Sequence, residues 1–155
     1  GQREASQYIR AFRVPGMETY IANDLENFFD KTFKGHFDLS FSGQEKAAYL
    51  DEWSQPGAMR AMLGWYRSAG VIVPAVGEDA VRPAYLDAPF PVLKMPVLVV
   101  WGMQDKALTP SQLVGLEDLC TDLRIIRDPD AGHFITWEKP EAVTGALRQF
   151  LDGVI

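Results

Sequence analysis

Pro96-Val97-Leu98-Val99-Val100-Trp101-Gly102-Met103-Gln104-Asp105 is the stretch that decides the architecture. From Pro96 to Trp101 every residue is apolar, with no alternation. That is how a β-strand buried on both faces of a parallel sheet reads. Gly102 closes the run, and the carboxylate of Asp105 follows at once.

Toward the C-terminus the pattern repeats as β and α. Thr109-Pro110-x-Gln112 supplies an N-cap, a proline in the first turn and a capping-box partner, which predicts a helix running to about Leu119. Leu123-Arg124-Ile125-Ile126-Arg127 reads as a second short strand, its arginines marking a face near solvent, as at a sheet edge. Pro140 opens a last helix, with Val143, Leu147, Phe150 and Leu151 predicted on its buried side. The fold class is therefore α/β, ending β-α-β-α. Two parallel strands leave both faces and an edge bare, so the sheet is expected to continue in residues outside this sequence.

Before Pro89 the periodicity is helical. Tyr8, Ile9 and Phe12 share a helical spacing that Pro15-Gly16 interrupts; Tyr20, Ile21, Leu25, Phe28 and Phe29 follow as one amphipathic helix. Ser42 and Glu45 form a capping box opening a helix toward Trp53. Gln55-Pro56-Gly57 breaks it, and another helix is predicted over 58–68, carrying Met62, Leu63, Trp65 and Tyr66. Residues 69–89, with several Pro and Gly, read as a long crossing loop.

The 155 residues suggest one domain, with 47% apolar and 23% charged residues, as in ordinary globular proteins. The net charge of −6, with Lys31 and Lys34 forming no basic stripe, argues against nucleic acid as a partner. Cys120 is the lone cysteine, which excludes an internal disulfide. On the register of Leu113 and Leu116 it is expected to be a buried thiol late in the predicted helix. No apolar run reaches the roughly 20 residues of a membrane span, and no signal sequence opens the chain, so a cytoplasmic location is expected. A first residue of Gly leads to the expectation that sequence precedes it.

Asp105 and His133 each follow a predicted strand. In an open parallel sheet, loops at the carboxyl ends of strands form the ligand crevice, and adjacent strands would set these two side by side. A carboxylate that orients an imidazole is the base half of a hydrolytic triad. The competing reading is an Asp that caps a turn and a His satisfied within its loop. Asp128 and Asp130 read as turn formers around Pro129. His36, without an acidic partner at obvious spacing, reads as a surface or packing residue.

Residues 97–105 resemble the acid-bearing strand of α/β-hydrolases. Asp130-Ala131-Gly132-His133-Phe134, followed by Trp137-Glu138-Lys139-Pro140-Glu141, resembles their histidine loop and final helix. Gly64-Trp65-Tyr66-Arg67 resembles a cap motif of soluble epoxide hydrolases. Tyr8, with Phe12 and Pro15-Gly16 after it, resembles the first cap tyrosine of that family. The resemblance covers about Tyr8 to the end. It implies a helical cap over 1–88 and the C-terminal part of the hydrolase core over 89–155. It also implies that Asp105, His133, Tyr66 and Tyr8 are catalytic, with Trp65, Phe12 and Phe134 lining the substrate. A phenol stays protonated at neutral pH and can donate to an epoxide oxygen as it becomes an alkoxide. The competing role for both tyrosines is helix packing, the role assigned to Tyr20, Tyr49 and Tyr85.

The departure from the family is large. No strand followed by a Gly-x-Asp/Ser-x-x-Gly turn occurs in these residues, so the nucleophile is expected from a missing N-terminal half or a partner chain. In the complete enzyme the resemblance implies opening of a small apolar epoxide to a diol through an alkyl ester, with no metal or organic cofactor. A haloacid or haloalkane dehalogenase acting on a halogenated substrate is the alternative, and an esterase a third. The His-Trp pair that haloacetate enzymes tend to show is replaced here by Tyr8-Ile9. The remaining alternative is a non-catalytic fragment whose bare sheet edge binds a partner chain by strand addition.

Overall fold

The computed structural model describes residues 1–37 and 41–153 and divides into two units, Arg3–Glu78 and Asp79–Ile155 with Gly1–Gln2. The first unit is helical: α1 (Gln2–Ala5, opening in the other unit), α2 (Gln7–Phe12), α3 (Met17–Ala22), α4 (Leu25–Phe37), α5 (Gly43–Ser54) and α6 (Ala58–Ser68). Local chemistry sets several of these boundaries. The Ser42 hydroxyl accepts from Glu45 N–H while the Glu45 carboxylate accepts from Ser42 N–H, so α5 opens with the predicted capping box. Gly16 and Gly57 adopt φ of 83° and 86° at the starts of α3 and α6, a left-handed conformation that costs glycine little.

The single helix expected across Tyr20–Phe29 is instead two. The chain turns at Asn23-Asp24, where the Asp24 carboxylate accepts from Asn27 N–H and begins α4. Tyr20 is left exposed, whereas Ile21 and Phe29 are buried. Ile21, Met59 and Leu63 form the core of this unit, with Phe12, Met17, Leu25, Phe28 and Trp53 packed around them. Phe29, Phe33, Tyr49 and Trp53 make an adjoining aromatic cluster, which gives Tyr49 the structural role read for it. The reading of the His36 side chain lies outside what is described.

Residues 69–78, after α6, are held by side chains rather than by regular structure, and a 3-10 turn follows at Ala84–Leu86. Arg3 donates to Glu78 O, Gln7 to Pro74 O, Arg10 to Val73 O, and Arg13 to the carbonyls of Ala69 and Val71. Four residues at three- and four-residue spacing present one helical stripe of donors to carbonyls that lack ladder partners.

The second unit carries β1 (Leu93–Gly102) and β2 (Cys120–Asp128), then α7 (Ile135–Glu138) and α8 (Pro140–Asp152). The strands are parallel neighbours in register from Pro96 opposite Asp122 to Gly102 opposite Asp128. This is the α/β architecture expected, and both strands are longer than predicted.

Three local expectations fail. Thr109–Leu119 is two 3-10 turns, Pro110–Leu113 and Leu116–Leu119, separated by Gly115 at φ 85°. A left-handed residue cannot continue an α-helix. The Thr109 hydroxyl, expected as an N-cap, instead meets Gln2 Oε1 at 2.9 Å and Ser111 Oγ at 2.7 Å. Cys120 is consequently not in a helix but the half-buried first residue of β2. On α8, Ala146 is the buried residue, whereas Leu147 and Leu151 are about half exposed. Val92, Leu93, Met95 and Ile126 around the sheet are exposed as well.

Candidate active site

The apolar run of β1 delivers Gly102 opposite Asp128 at the carboxyl end of the strand pair. Beyond that point the loops after β1 and β2 interlock. Met103 N–H donates to Asp128 O at 2.8 Å, Gln104 N–H to Ala131 O at 2.9 Å, and the Gln104 side-chain amide to Pro129 O at 2.8 Å. Gly102 is obligatory for this approach. A Cβ there would lie 2.3 Å from Gly132 O and 2.5 Å from Ala131 O, both backbone atoms.

The interlock sets His133 Nδ1 2.9 Å from Asp105 Oδ2. Asp105 is buried, at 8% exposure, and its other oxygen accepts from Ala107 N–H and Leu108 N–H at 2.8 Å each. Two amides therefore fix the carboxylate from its own loop, and the imidazole takes the remaining oxygen. A carboxylate oxygen accepts, so the bond assigns the proton to Nδ1 and leaves Nε2 as the basic nitrogen.

The loop after β1 is braced in turn by Gln2. Its amide donates to Ala107 O at 2.7 Å and accepts from Thr109 N–H at 2.7 Å. The loop after β2 is braced by two carboxylates. Asp128 Oδ1 accepts from Asp130 N–H and Ala131 N–H, both at 2.9 Å, the turn-forming role read for it. Glu138 accepts from Gly132 N–H at 2.6 Å and Phe134 N–H at 3.0 Å. The Phe134 ring meets the His133 imidazole edge to face, with centroids 5.1 Å apart.

The helical unit brings Tyr8, Phe12 and Tyr66 into one cluster, where α2 packs against α6. Tyr66 lies 5.0 Å from Phe12 and 5.9 Å from Tyr8, and Tyr8 lies 5.7 Å from Phe12, measured between ring centroids. Burial pushes the Tyr66 phenol above its ordinary range, so it stays a protonated donor. The next residue, Arg67, anchors α6: it donates to both oxygens of Glu18 and to Val14 O. That guanidinium holds the Glu18 carboxyl at about 2. Trp65 does not join the cluster; it is 77% exposed, because Gly64-Trp65 turns it to the opposite side of α6 from Leu63.

Sequence reasoning gave no role to Gln2 or Glu138. The signal for Glu138 was its place five residues after the histidine in the quoted motif. Nothing in the sequence marked Gln2. Among the described residues no cluster of His, Cys, Asp and Glu could hold a metal ion, and no helix is long and apolar enough to cross a membrane.

A family model described as alpha/beta hydrolase fold matches residues 7–140. The chain is 30% identical over 151 residues to the AB hydrolase superfamily protein YfhM of Bacillus subtilis, covering 94% of this chain and 48% of that protein. It superposes with a TM-score of 0.83 at 38% identity on a solved epoxide hydrolase from metagenomes of hot environments, covering 97% of this chain and 51% of the other. For the inhibitor-bound epoxide hydrolase of Bacillus megaterium the values are 0.76, 25%, 97% and 52%. The chain thus spans about half the length of the relatives it matches.

Proposed function

We propose that this chain, which belongs to the alpha/beta hydrolase fold family, supplies the water-activating pair and the oxygen-donating lid of an epoxide hydrolase. The observation that carries the reading is the 2.9 Å contact between His133 Nδ1 and buried Asp105 at the ends of adjacent parallel strands. It is supported by the likeness to solved epoxide hydrolases at 38% and 25% identity.

The reaction runs in two steps. A carboxylate oxygen, from sequence outside these residues, attacks one epoxide carbon. The carbon–oxygen bond breaks, and Tyr66 and Tyr8 supply hydrogen bonds and a proton to the departing oxygen. This leaves a hydroxyalkyl ester. His133 Nε2 then takes a proton from water, whose oxygen adds to the ester carbonyl. The intermediate collapses to the free carboxylate; the imidazolium gives its proton to the departing alkoxide, and the second water proton restores the phenol that protonated the epoxide oxygen. Asp105 offsets the imidazolium charge. The sum is epoxide plus water to vicinal diol, with no metal or organic cofactor required. Phe12 and Phe134 give the substrate an apolar surface; Trp65 is assigned to it on the motif alone. The remaining strands of the sheet pair with this one at the open edge of β1.

The test uses the full chain, with whatever sequence flanks residues 1–155, and styrene oxide. Diol formation that His133→Ala abolishes, with no halide released from a chloroalkane, supports the reading. Halide release without diol formation sinks it in favour of a dehalogenase.

A further inference from the structure

The loop that carries His133 has no regular secondary structure from Pro129 to Phe134. Its main-chain amides are nevertheless hydrogen-bonded on either side of the imidazole. Upstream, Asp128 accepts from the amides of Asp130 and Ala131. Closer in, one carboxylate spans the histidine itself: Glu138 Oε2 accepts from Gly132 N–H at 2.6 Å and Oε1 from Phe134 N–H at 3.0 Å. Glu138 also sits where it cannot drift. Its own amide donates to Phe134 O at 2.9 Å, and Pro140 begins α8 two residues later. Any side chain at position 132 would start 3.2 Å from Glu138 Oε1, so Gly132 leaves room for the carboxylate.

We propose that Glu138 is a positioning residue for His133. It grips the backbone before and after the imidazole and thereby fixes Nε2 while the Asp105 contact fixes Nδ1. The Asp105 bond holds the ring at Nδ1. The two amide bonds to Glu138 hold the main chain that carries the ring, without touching the reacting atoms. The inference rests on the reading of His133 as the base that activates water, so its consequence falls on the second step. Ester formation needs the nucleophile and the tyrosines; ester hydrolysis needs His133 held in place.

Two variants of the full chain, Glu138→Ala and Glu138→Gln, test this with styrene oxide. Alanine removes both acceptors. Glutamine keeps the shape and one acceptor, and turns an NH2 toward the other amide. For Glu138→Ala the expected result is a fall in kcat of about 10- to 100-fold, the scale on which a misplaced catalytic group costs rate. KM should hold or drop. Protein quenched during turnover should carry the mass of one added epoxide, the trapped ester. Glu138→Gln should fall between this and the wild type, and it decides the matter if the alanine variant does not fold. A purely structural role would slow both steps together and leave no adduct; that result, or an unchanged kcat, overturns the proposal. A wild type that opens no epoxide refutes the hydrolase reading instead. The Glu138 clamp is then read from the low-field His133 Nδ1–H resonance, which should broaden or vanish in both variants and which, if unchanged, also overturns it.

Discussion

Adding one methyl group at Gly102 tests the interlock that brings the acid and the histidine together. In Gly102→Ala the new Cβ would lie 2.3 Å from Gly132 O, 2.5 Å from Ala131 O and 2.7 Å from the Ala131 carbonyl carbon. An ordinary contact is 3.4 Å or more, so the deficit is about 1 Å. All three atoms are main chain, and no side-chain rotation relieves the clash. The loop after β2 must therefore move away from β1 by about that distance. The Gln104 N–H to Ala131 O bond, now 2.9 Å, and the His133–Asp105 contact, also 2.9 Å, would stretch beyond hydrogen-bonding range. Overpacking of this kind costs about 1–3 kcal/mol, and a catalytic group displaced by about 1 Å loses on the order of 100-fold in rate. Urea unfolding of the full chain checks the first figure, and initial rates of styrene oxide hydrolysis check the second. A variant with unchanged midpoint and turnover within about twofold of wild type would refute the claim that this close approach builds the site.

Three further outcomes are expected. Asp105→Asn replaces an oxygen that receives the imidazole N–H with a group that can donate, favouring the wrong tautomer; turnover should fall on the order of 10⁴-fold in steady-state assays while the fold, seen by circular dichroism, persists. Tyr66→Phe should lower kcat for epoxide opening by about 10²–10³-fold and barely move the unfolding midpoint, because the hydroxyl has no hydrogen-bond partner among the described residues. Since burial raises the Tyr66 pKa, the wild-type rate should persist above the ordinary phenol value of about 10, and an activity lost well below it would contradict this. The Glu18 carboxyl is depressed to about 2 in the folded chain from an ordinary 4.5, chiefly by hydrogen bonding to Arg67. Its contribution to stability is therefore fully present above about 4.5 and is lost as the pH falls toward 2. Glu18→Gln should flatten the pH dependence of the unfolding midpoint across that window; an unchanged slope would show that the ion pair contributes nothing.

The sequence by itself determined the parts governed by short-range physics. The apolar run Pro96–Trp101, bounded by Gly102, reads as a strand covered on both faces, and Ser42-x-x-Glu45 satisfies its own helix end, so β1 and α5 were legible. Asp105 and His133 were legible because a carboxylate and an imidazole each follow a strand, and parallel strands have only one carboxyl end. Local rules failed where the alternative conformations lie close in energy. Gly115 tipped Pro110–Leu119 from one α-helix into two 3-10 turns, and Asp24 capped a new helix where the periodicity continued smoothly. The tertiary structure alone decided which polar groups brace the site. Gln2 reaches Thr109 across 107 positions, and Glu138 accepts from amides four and six residues back. Such bonds answer to the backbone groups that irregular loops leave unpaired, and those groups cannot be identified until the loops have their shape.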